Sequence, residues 1–183
     1  MKEYFIKYRL FLQFLGVFLV SYLVLIGSYQ LYLNQFDVTR FEVDGISKFV
    51  AEQTKMVLDA FGYNVTLTPH SYDPSVKVDI DSISIVRIVE GCNAVSVMIL
   101  FMAFVLAFSK GLYKTLGFIA VGILIIHVLN ILRIALLTIG IMKYPQYTHI
   151  LHGVIFPLVI YGIVFLLWIV WVTKFTTNDT KNT

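Results

Sequence analysis

The chain has 183 residues, of which 58% are hydrophobic and 14% are charged, and its formal net charge is +3. Its mean hydropathy of +0.83 indicates an integral membrane protein, because soluble domains are only about half apolar. The small net charge and the lack of a dense basic patch exclude a nucleic-acid-binding protein. The single cysteine excludes an internal disulfide, a redox pair of the Cys-x-x-Cys kind and a site with several thiolate ligands.

Four apolar segments are predicted to cross a membrane. A spanning helix needs about 20 mostly apolar residues, and it must be a helix because unpaired backbone groups are costly in lipid. The first segment is too long for an ordinary signal peptide and has no small-residue cleavage site after it, which favours a retained anchor. The second segment is the shortest. The predicted spans are residues 10–33, 92–109, 116–142 and 153–173.

Basic residues predict the orientation, because lysine and arginine close to span ends mark the cytoplasmic side. The N-terminus 1–9, the turn between the second and third spans and the tail 174–183 carry these bases, and an even number of spans puts all three on one side. Lys143 is the one short-loop base that disagrees. Both termini are therefore expected in the cytoplasm, and the loops 34–91 and 143–152 are expected outside. The bases are Lys2, Lys7, Arg9, Lys110, Lys114, Lys174 and Lys181.

The outer loop 34–91 is predicted to form a small α+β segment. Apolar residues recur at helical spacing over 46–61, and Gly62 ends this amphipathic helix. Alternating apolar and polar residues in NVTLT, VKVDI and SISIVRIV predict short strands. A segment of this size is marginal as an independent domain, so we expect it to rest on the helical bundle or on the membrane surface. The predicted fold is an all-α polytopic membrane protein, a four-transmembrane-helix bundle with this extracytoplasmic segment.

Cys92 is the first candidate functional residue, because it stands at the N-terminal end of the second span. A helix N-terminus favours the thiolate form of a cysteine, and the thiolate is the nucleophile. Gly91 would let a substrate backbone approach closely, whereas Glu90 would disfavour the thiolate unless a cation neutralised it. The alternative is a small buried hydrophobic residue without chemistry, which is what many lone cysteines are.

Arg133 and Asn130 are the next candidates, within the third span. A charged residue there is costly, so an intramembrane arginine predicts a function. Asn130 precedes it by three residues and shares its helix face, where its amide could hold the guanidinium or donate to an oxyanion. The alternatives are an arginine side chain that extends to the outer interface and an asparagine that serves helix packing.

His149 and His152 precede the fourth span, and histidine is the side chain best placed to exchange a proton near neutral pH. The alternative for either one is a solvated loop residue. A metal or haem site formed with His127 has little support, because the sequence has no His-Glu-x-x-His motif and His127 lies deeper than the pair. No metal and no cofactor are therefore expected.

The predicted topology brings these residues to one outward-facing pocket. The second span begins outside at Cys92, the third ends outside with Arg133 in its outer half, and the fourth begins outside after the histidines. In such a pocket Cys92 would attack a carbonyl, and a histidine would take the thiol proton and later protonate the leaving amine. Arg133, together with Asn130, would stabilise the oxyanion or grip a substrate carbonyl.

At these residues the chain resembles the exosortase/archaeosortase family of membrane cysteine transpeptidases. Members of that family carry a cysteine at the start of a span, an Asn-x-x-Arg in a later span and a histidine four residues before a glycine. Here these are Cys92, the segment Asn130–Arg133, and His149 ahead of Gly153. The resemblance implies that Cys92, Arg133 and His149 are the catalytic residues, with His152 as the fallback for the histidine.

The resemblance covers residues 87–160 and departs from the family in places. Many members have Cys-Ser-Gly where this chain has Cys92-Asn93-Ala94, and long members have more than four spans. EGCNAVSV and the small size resemble the compact exosortase F clade. The family implies a bacterial inner-membrane enzyme that cuts the C-terminal sorting signals of exported proteins through a cysteine thioester. The expected partners are that sorting-signal segment, membrane lipid and a lipid or glycan acceptor, without nucleic acid.

Two other functions stay open from the residues alone. In a non-enzymatic membrane assembly subunit, Cys92 would be packed and Arg133 would pair with a partner helix. In a metal- or haem-binding membrane subunit, the histidines would be ligands.

Overall fold

The computed structural model describes residues 8–109 and 111–176. The predictions for the N-terminus before Tyr8, for Lys110 and for the tail beyond residue 176 lie outside these residues. Within these residues, three short 3-10 turns lie between the helices and strands named next: Val38–Arg40, Glu90–Cys92 and Pro145–Tyr147. The elements in chain order are helix α1 (Arg9–Leu33), helix α2 (Gly45–Ala60), strands β1 (Val65–Pro69), β2 (Ser75–Ile80) and β3 (Ile83–Val89), helix α3 (Val95–Ala107), helix α4 (Leu112–Lys143) and a last helical run, Pro145–Lys174, whose main part is helix α5 (Phe156–Val170).

Helices α1 and α3 lie side by side and run in opposite directions. Asn93, just before α3, donates a hydrogen bond to the hydroxyl of Tyr29 near the end of α1. At the other end of α3, the ring of Phe104 contacts Phe14 near the start of α1. The two helices therefore pack along their lengths, as a polypeptide that enters and leaves a membrane requires.

Helix α4 and the last helical run are likewise antiparallel. The ring of Trp171, at the end of the run, lies 4.8 Å from the ring of Phe118 near the start of α4. Trp168 also stacks on Phe104 of α3, with ring centroids 4.2 Å apart. The four helical segments thus alternate in direction, and one end of the bundle joins the three strands. We call this the sheet end.

Three of the helical segments are long and apolar enough to cross a membrane: Arg9–Leu33, Leu112–Lys143 and Pro145–Lys174. Helix α3, within the predicted second span 92–109, has only 13 residues. At 1.5 Å per residue it reaches about 20 Å, which is less than the roughly 30 Å of a hydrocarbon core. The mostly helical fold with a small sheet is confirmed, whereas the count of four spans stays a prediction.

The segment between α1 and α3 folds as one helix against a three-stranded antiparallel sheet of order β1-β2-β3. Asp44 caps α2, since its carboxylate accepts a hydrogen bond from the N–H of Ser47 at 2.9 Å. The helix and the strands occur where the sequence patterns predict them. The register pairs Val65 with Ile80 in the first hairpin and Val76 with Ile88 in the second.

This α/β layer rests on α4, and the expectation that it leans on the bundle is confirmed. Its buried core, which includes Val50, Leu58 and Val78, is continuous with Ile134 and Ala135 of α4. The small segment therefore completes its core with residues of a membrane helix rather than alone. This packing places the α/β layer against the C-terminal half of α4.

His127 helps to fix α2 on the bundle. Its Nε2 lies 2.7 Å from Oε1 of Gln53, and its ring stacks on Phe49 with centroids 6.0 Å apart. Both partners belong to α2. His127 is thus bound to α2, and it does not line the cavity described below.

Candidate active site

The turn Glu90–Cys92 connects β3 to α3 and is held by a buried side chain. Asn93 is only 2% exposed. Its Nδ2 donates to the hydroxyl of Tyr29 at 2.9 Å and to Oγ of Ser47 at 3.3 Å. Its Oδ1 accepts a hydrogen bond from the N–H of Val95 at 2.9 Å, which gives a partner to a backbone donor at the start of α3. One asparagine therefore ties the turn to α1, α2 and α3.

The sequence predicts Cys92 at the N-terminal end of the second span, and the structure places it in this 3-10 turn, three residues before α3 begins. Its side chain is half-buried and forms no disulfide. Ala94 between them has a positive φ of 62°, a left-handed conformation that only glycine adopts without strain. The sharp change of direction there separates the cysteine from the helix axis.

Glu90 has a partner on α1. The hydroxyl of Tyr29 donates to Oε1 of Glu90 at 2.7 Å. Glu90 lines a cavity with Glu42 and Asp44, whereas Cys92 lines a different one. Gly91 between them has open space around its Cα, with no atom within 4 Å of a built Cβ.

Asn130 links Cys92 to Arg133. The asparagine is fully buried in α4, and its Nδ2 donates to the carbonyl oxygen of Cys92 at 2.7 Å. Its Oδ1 accepts from Nη1 of Arg133 at 3.2 Å. Nε of Arg133 is buried without a hydrogen-bond partner among residues 8–109 and 111–176. The guanidinium is thus oriented through Asn130 and keeps a donor that no described group uses.

Cys92, Arg133 and His152 line one open cavity of about 410 Å³ at the sheet end. β3 forms one wall, α4 forms another, and the start of the last helical run closes a third side. Arg87 and Thr148 also line it, although sequence reasoning did not single them out. Elements that are distant in the sequence therefore bring a thiol, a guanidinium and an imidazole to one space.

His149 lines an adjoining open cavity of about 540 Å³, together with Gln146, Thr148, His152 and Gly153. Thr148 and His152 belong to both cavities. The structure thus brings His152 to the cavity of Cys92 and Arg133, and it leaves His149 one cavity away. Both imidazoles are exposed.

The residues that line this cavity lie within the region that matches a known protein family. The family model described as transmembrane exosortase matches residues 8–171. This chain belongs to the transmembrane exosortase family. No curated protein and no solved structure that was compared with the chain matches it. The match contains every candidate residue of the exosortase, from Glu90 to His152.

The polar contacts around Asn93 were missed by sequence reasoning. An asparagine just before an apolar helix is a typical helix-start residue, and this signal could have identified its bond to Val95. Its bond to Tyr29 has no such signal, because the two residues are 64 positions apart and a tyrosine near a span end is typical of the membrane interface.

The π-helical turn Leu151–Ile155, which contains His152, was also not predicted. Turns of this kind are rare and occur often at functional sites. Sequence periodicity does not reveal this turn, because the run that follows His152 is apolar almost throughout and has no polar face whose phase could shift. His152, within the turn, lines the cavity of Cys92 and Arg133.

Proposed function

We propose that this exosortase is a membrane-embedded cysteine peptidase and transpeptidase that cleaves C-terminal sorting signals of exported proteins through a thioester on Cys92. The observation that carries the proposal is the shared cavity, which Cys92, Arg133 and His152 line together. This set of groups supplies a nucleophile, a cation for a developing oxyanion and a proton carrier.

Cys92 is the proposed nucleophile. Its sulfur forms a bond with the carbonyl carbon of the scissile peptide, and the thiol proton passes to a histidine. When the C–N bond breaks, the histidine returns this proton to the leaving amine, and the acyl group stays on Cys92 as a thioester. Water, or an amine of a lipid or glycan acceptor, then attacks the thioester carbonyl and releases the thiol.

Arg133 is proposed to stabilise the oxyanion, with Asn130 as its positioning residue. The bond from Nη1 to Asn130 fixes the plane of the guanidinium, and Nε is a buried donor without a partner in the described part of the chain. Asn130 also holds the carbonyl of Cys92 at 2.7 Å. Asn130 therefore ties the guanidinium to the backbone of Cys92 before a substrate arrives, and such preorganisation avoids reorganisation during the reaction.

The proton carrier is one of two histidines with different support. His149 has the position of the family motif, four residues before Gly153. His152 has the geometric support, because it lines the cavity of Cys92. The motif favours His149 and the cavity favours His152, and single variants decide between them.

The location and the substrate class follow from the family and from the place of the cavity. We assign the protein to the bacterial inner membrane with the sheet end outside and both termini in the cytoplasm, because basic residues flank the opposite ends of the helices. An exported protein anchored by a C-terminal apolar helix would present its chain at this membrane surface, next to the cavity. The short chain and EGCNAVSV support membership of the exosortase F clade.

Replacement of the site residues in cells tests the proposal. We expect Cys92→Ala and Arg133→Ala to stop processing, so that exported proteins keep the higher molecular weight of the uncut signal on gels. One of His149→Gln and His152→Gln should do the same. Thr138→Val is the matched control, since it removes a buried hydroxyl of α4 that bonds its own helix. Processing that continues in all four site variants would reject the enzyme and favour a non-enzymatic assembly subunit.

A further inference from the structure

The free edge of β3 runs along the cavity that holds Cys92 and Arg133. β3 is the last strand of the sheet and pairs on one side only, with β2. The consecutive β3 residues 85–89 all line the cavity. Because successive side chains of a strand point to opposite faces, a cavity lined by consecutive residues lies along the edge of the strand and not against one face.

The opposite edge of the sheet, at β1, is covered by α2 where the strand begins, at Val65. Nζ of Lys55 donates to the carbonyl oxygen of Val65, and the N–H of Val65 donates to Oδ1 of Asp59 at 3.3 Å. The hydrogen bond from Lys55 also lowers the pKa of Asp59, which keeps this carboxylate charged. Pro69, at the end of β1, has no N–H to offer a further strand.

The edge of β3 has no comparable cover. Within residues 8–109 and 111–176, no backbone hydrogen bond joins β3 to an element other than β2 and the turn that follows it. A strand edge presents a row of unpaired N–H and C=O groups, which pair readily with another extended chain. The two edges of one small sheet thus differ, and the open one faces the proposed catalytic residues.

We propose that the substrate binds this edge of β3 as an added strand, which delivers its scissile carbonyl to Cys92. The proposal rests on the peptidase function proposed above. The occupant is the extended segment that precedes the C-terminal apolar helix of the substrate. β3 continues without a break into the turn Glu90–Cys92, so a chain that pairs with β3 arrives beside the thiol.

The path of the chain sets the direction of the added strand. β3 leads through the turn into α3 and hence toward the bundle. The substrate segment leads into its own apolar helix, which lies in the same membrane, so the two strands are parallel. Main-chain hydrogen bonds to a strand edge give affinity that depends little on sequence, and the side chains that flank the edge give specificity. Arg87 is the charged side chain among those of β3 that line the cavity.

Site-specific photocrosslinking tests this geometry without catalysis. A photoreactive amino acid, p-benzoylphenylalanine, replaces Arg87 in the full-length Cys92→Ala protein in its native membrane, and mass spectrometry maps the residue to which it attaches. A second variant carries the probe at Val89, on the same strand face and beyond the β-bulge that leaves Ile85 unpaired. Arg87 is exposed, so its replacement leaves the core untouched. Thr66, which is exposed on the other edge strand, is the matched control position.

We expect attachment from both β3 positions to the stretch directly before the C-terminal apolar helix of an exported protein. The attachment site should move two residues toward that helix when the probe moves from Arg87 to Val89, because strand side chains on one face repeat every second residue. The probe at Thr66 should not attach there. Attachment that does not move, that moves the other way or that occurs equally from Thr66 overturns the added strand.

The same cells separate this proposal from the proposed function. If the wild-type protein processes its substrate and neither β3 position attaches to it, the added strand is wrong and the peptidase stands. If the wild-type protein processes nothing, the peptidase itself is wrong, and the added strand is rejected with it.

Discussion

The residues around Cys92 are held mainly by hydrogen bonds between uncharged groups. Asn93 bonds Tyr29, and Asn130 bonds the carbonyl of Cys92. Inside a protein such bonds are stronger than in water, and a buried polar group that loses its partner costs about 1–3 kcal/mol. This network fixes the backbone of the turn that carries Cys92, and its two charged members, Glu90 and Arg133, are bonded to Tyr29 and Asn130.

Asn130 is expected to be a positioning residue. Asn130→Ala leaves the carbonyl of Cys92 and the Nη1 of Arg133 without this partner. We expect processing to slow by about 100-fold, because small misplacements of catalytic groups have effects of that order. Pulse-chase measurement of substrate size gives the rate, with Thr138→Val on the same helix as the control. Equal rates in the two variants would show that Asn130 only packs the helix.

Ala94 is expected to tolerate glycine better than any helical alanine. Its φ of 62° is left-handed, a conformation that costs a non-glycine residue about 1–2 kcal/mol. Ala94→Gly should therefore leave the thermal unfolding midpoint unchanged or raise it. Ala103→Gly, at a fully buried position of α3, should lower stability by about 1 kcal/mol or more. Equal losses in both variants would contradict the left-handed backbone at Ala94.

The candidate site was predictable where a residue is unusual for its surroundings. Cys92 is the only thiol, and Arg133 is a charge in an apolar helix, so composition alone marks them. Asn130 follows from helix spacing. The sequence did not predict which of the two histidines lines the cavity of Cys92, because this depends on the π-helical turn Leu151–Ile155 and on how the last helical run packs.

At the scale of elements, periodicity predicted α2 and the three strands, but it did not predict where α3 begins. The amphipathic pattern over 46–61 corresponds to α2, Gly45–Ala60. The apolar run after Cys92 gave no sign of the turn Glu90–Cys92 or of the left-handed Ala94, which delay the start of α3 to Val95. An apolar composition predicts burial in lipid or protein, but it does not specify where a helix begins.

Helices α3 and α4 are expected to depend on Gly122 for their close approach. A Cβ at Gly122 would lie 2.2 Å from the ring of Phe101, which is fully buried. Gly122→Ala should therefore destabilise the protein by about 2 kcal/mol through overpacking. The unfolding midpoint in detergent measures the effect.

The control for this variant lies on the same helix. A Cβ at Gly117 meets no atom within 4 Å, so Gly117→Ala should be neutral or stabilising, since alanine favours helix over glycine by about 1 kcal/mol. Phe101→Leu should recover part of the loss caused by Gly122→Ala. A Gly122→Ala protein as stable as the Gly117→Ala protein would contradict the packing of α3 on α4.

At the scale of the whole molecule, the antiparallel helices place the cavity at one end of the bundle, and the other end carries Arg9, Lys114 and Lys174. The cavity lies at the sheet end, and Tyr113, which is 91% exposed, lies near the opposite end of α4. Charge placement predicts that the sheet end faces outward, because lysines near span ends stay in the cytoplasm. The sequence did not predict that the α/β layer packs on Ile134 and Ala135, because the apolar faces of a helix and a sheet do not indicate which element they pack against.

The sidedness is open to a direct test, because Cys92 is the only thiol. A membrane-impermeant maleimide should label Cys92 in intact spheroplasts, at the slow rate of a half-buried side chain. Tyr113→Cys in a Cys92→Ala background should react only after the membrane is permeabilised. The reverse pattern would place the cavity in the cytoplasm, where exported proteins do not arrive.

A thioester of the substrate on Cys92 is detectable by intact-protein mass spectrometry of the protein isolated from acid-quenched cells. We predict a polypeptide adduct on the wild-type protein that neutral hydroxylamine removes, and no adduct on Cys92→Ala. Arg133→Ala should show little adduct, because its transition state lacks the guanidinium. Full processing by a wild-type protein that never carries an adduct, or by Cys92→Ala, would contradict the account.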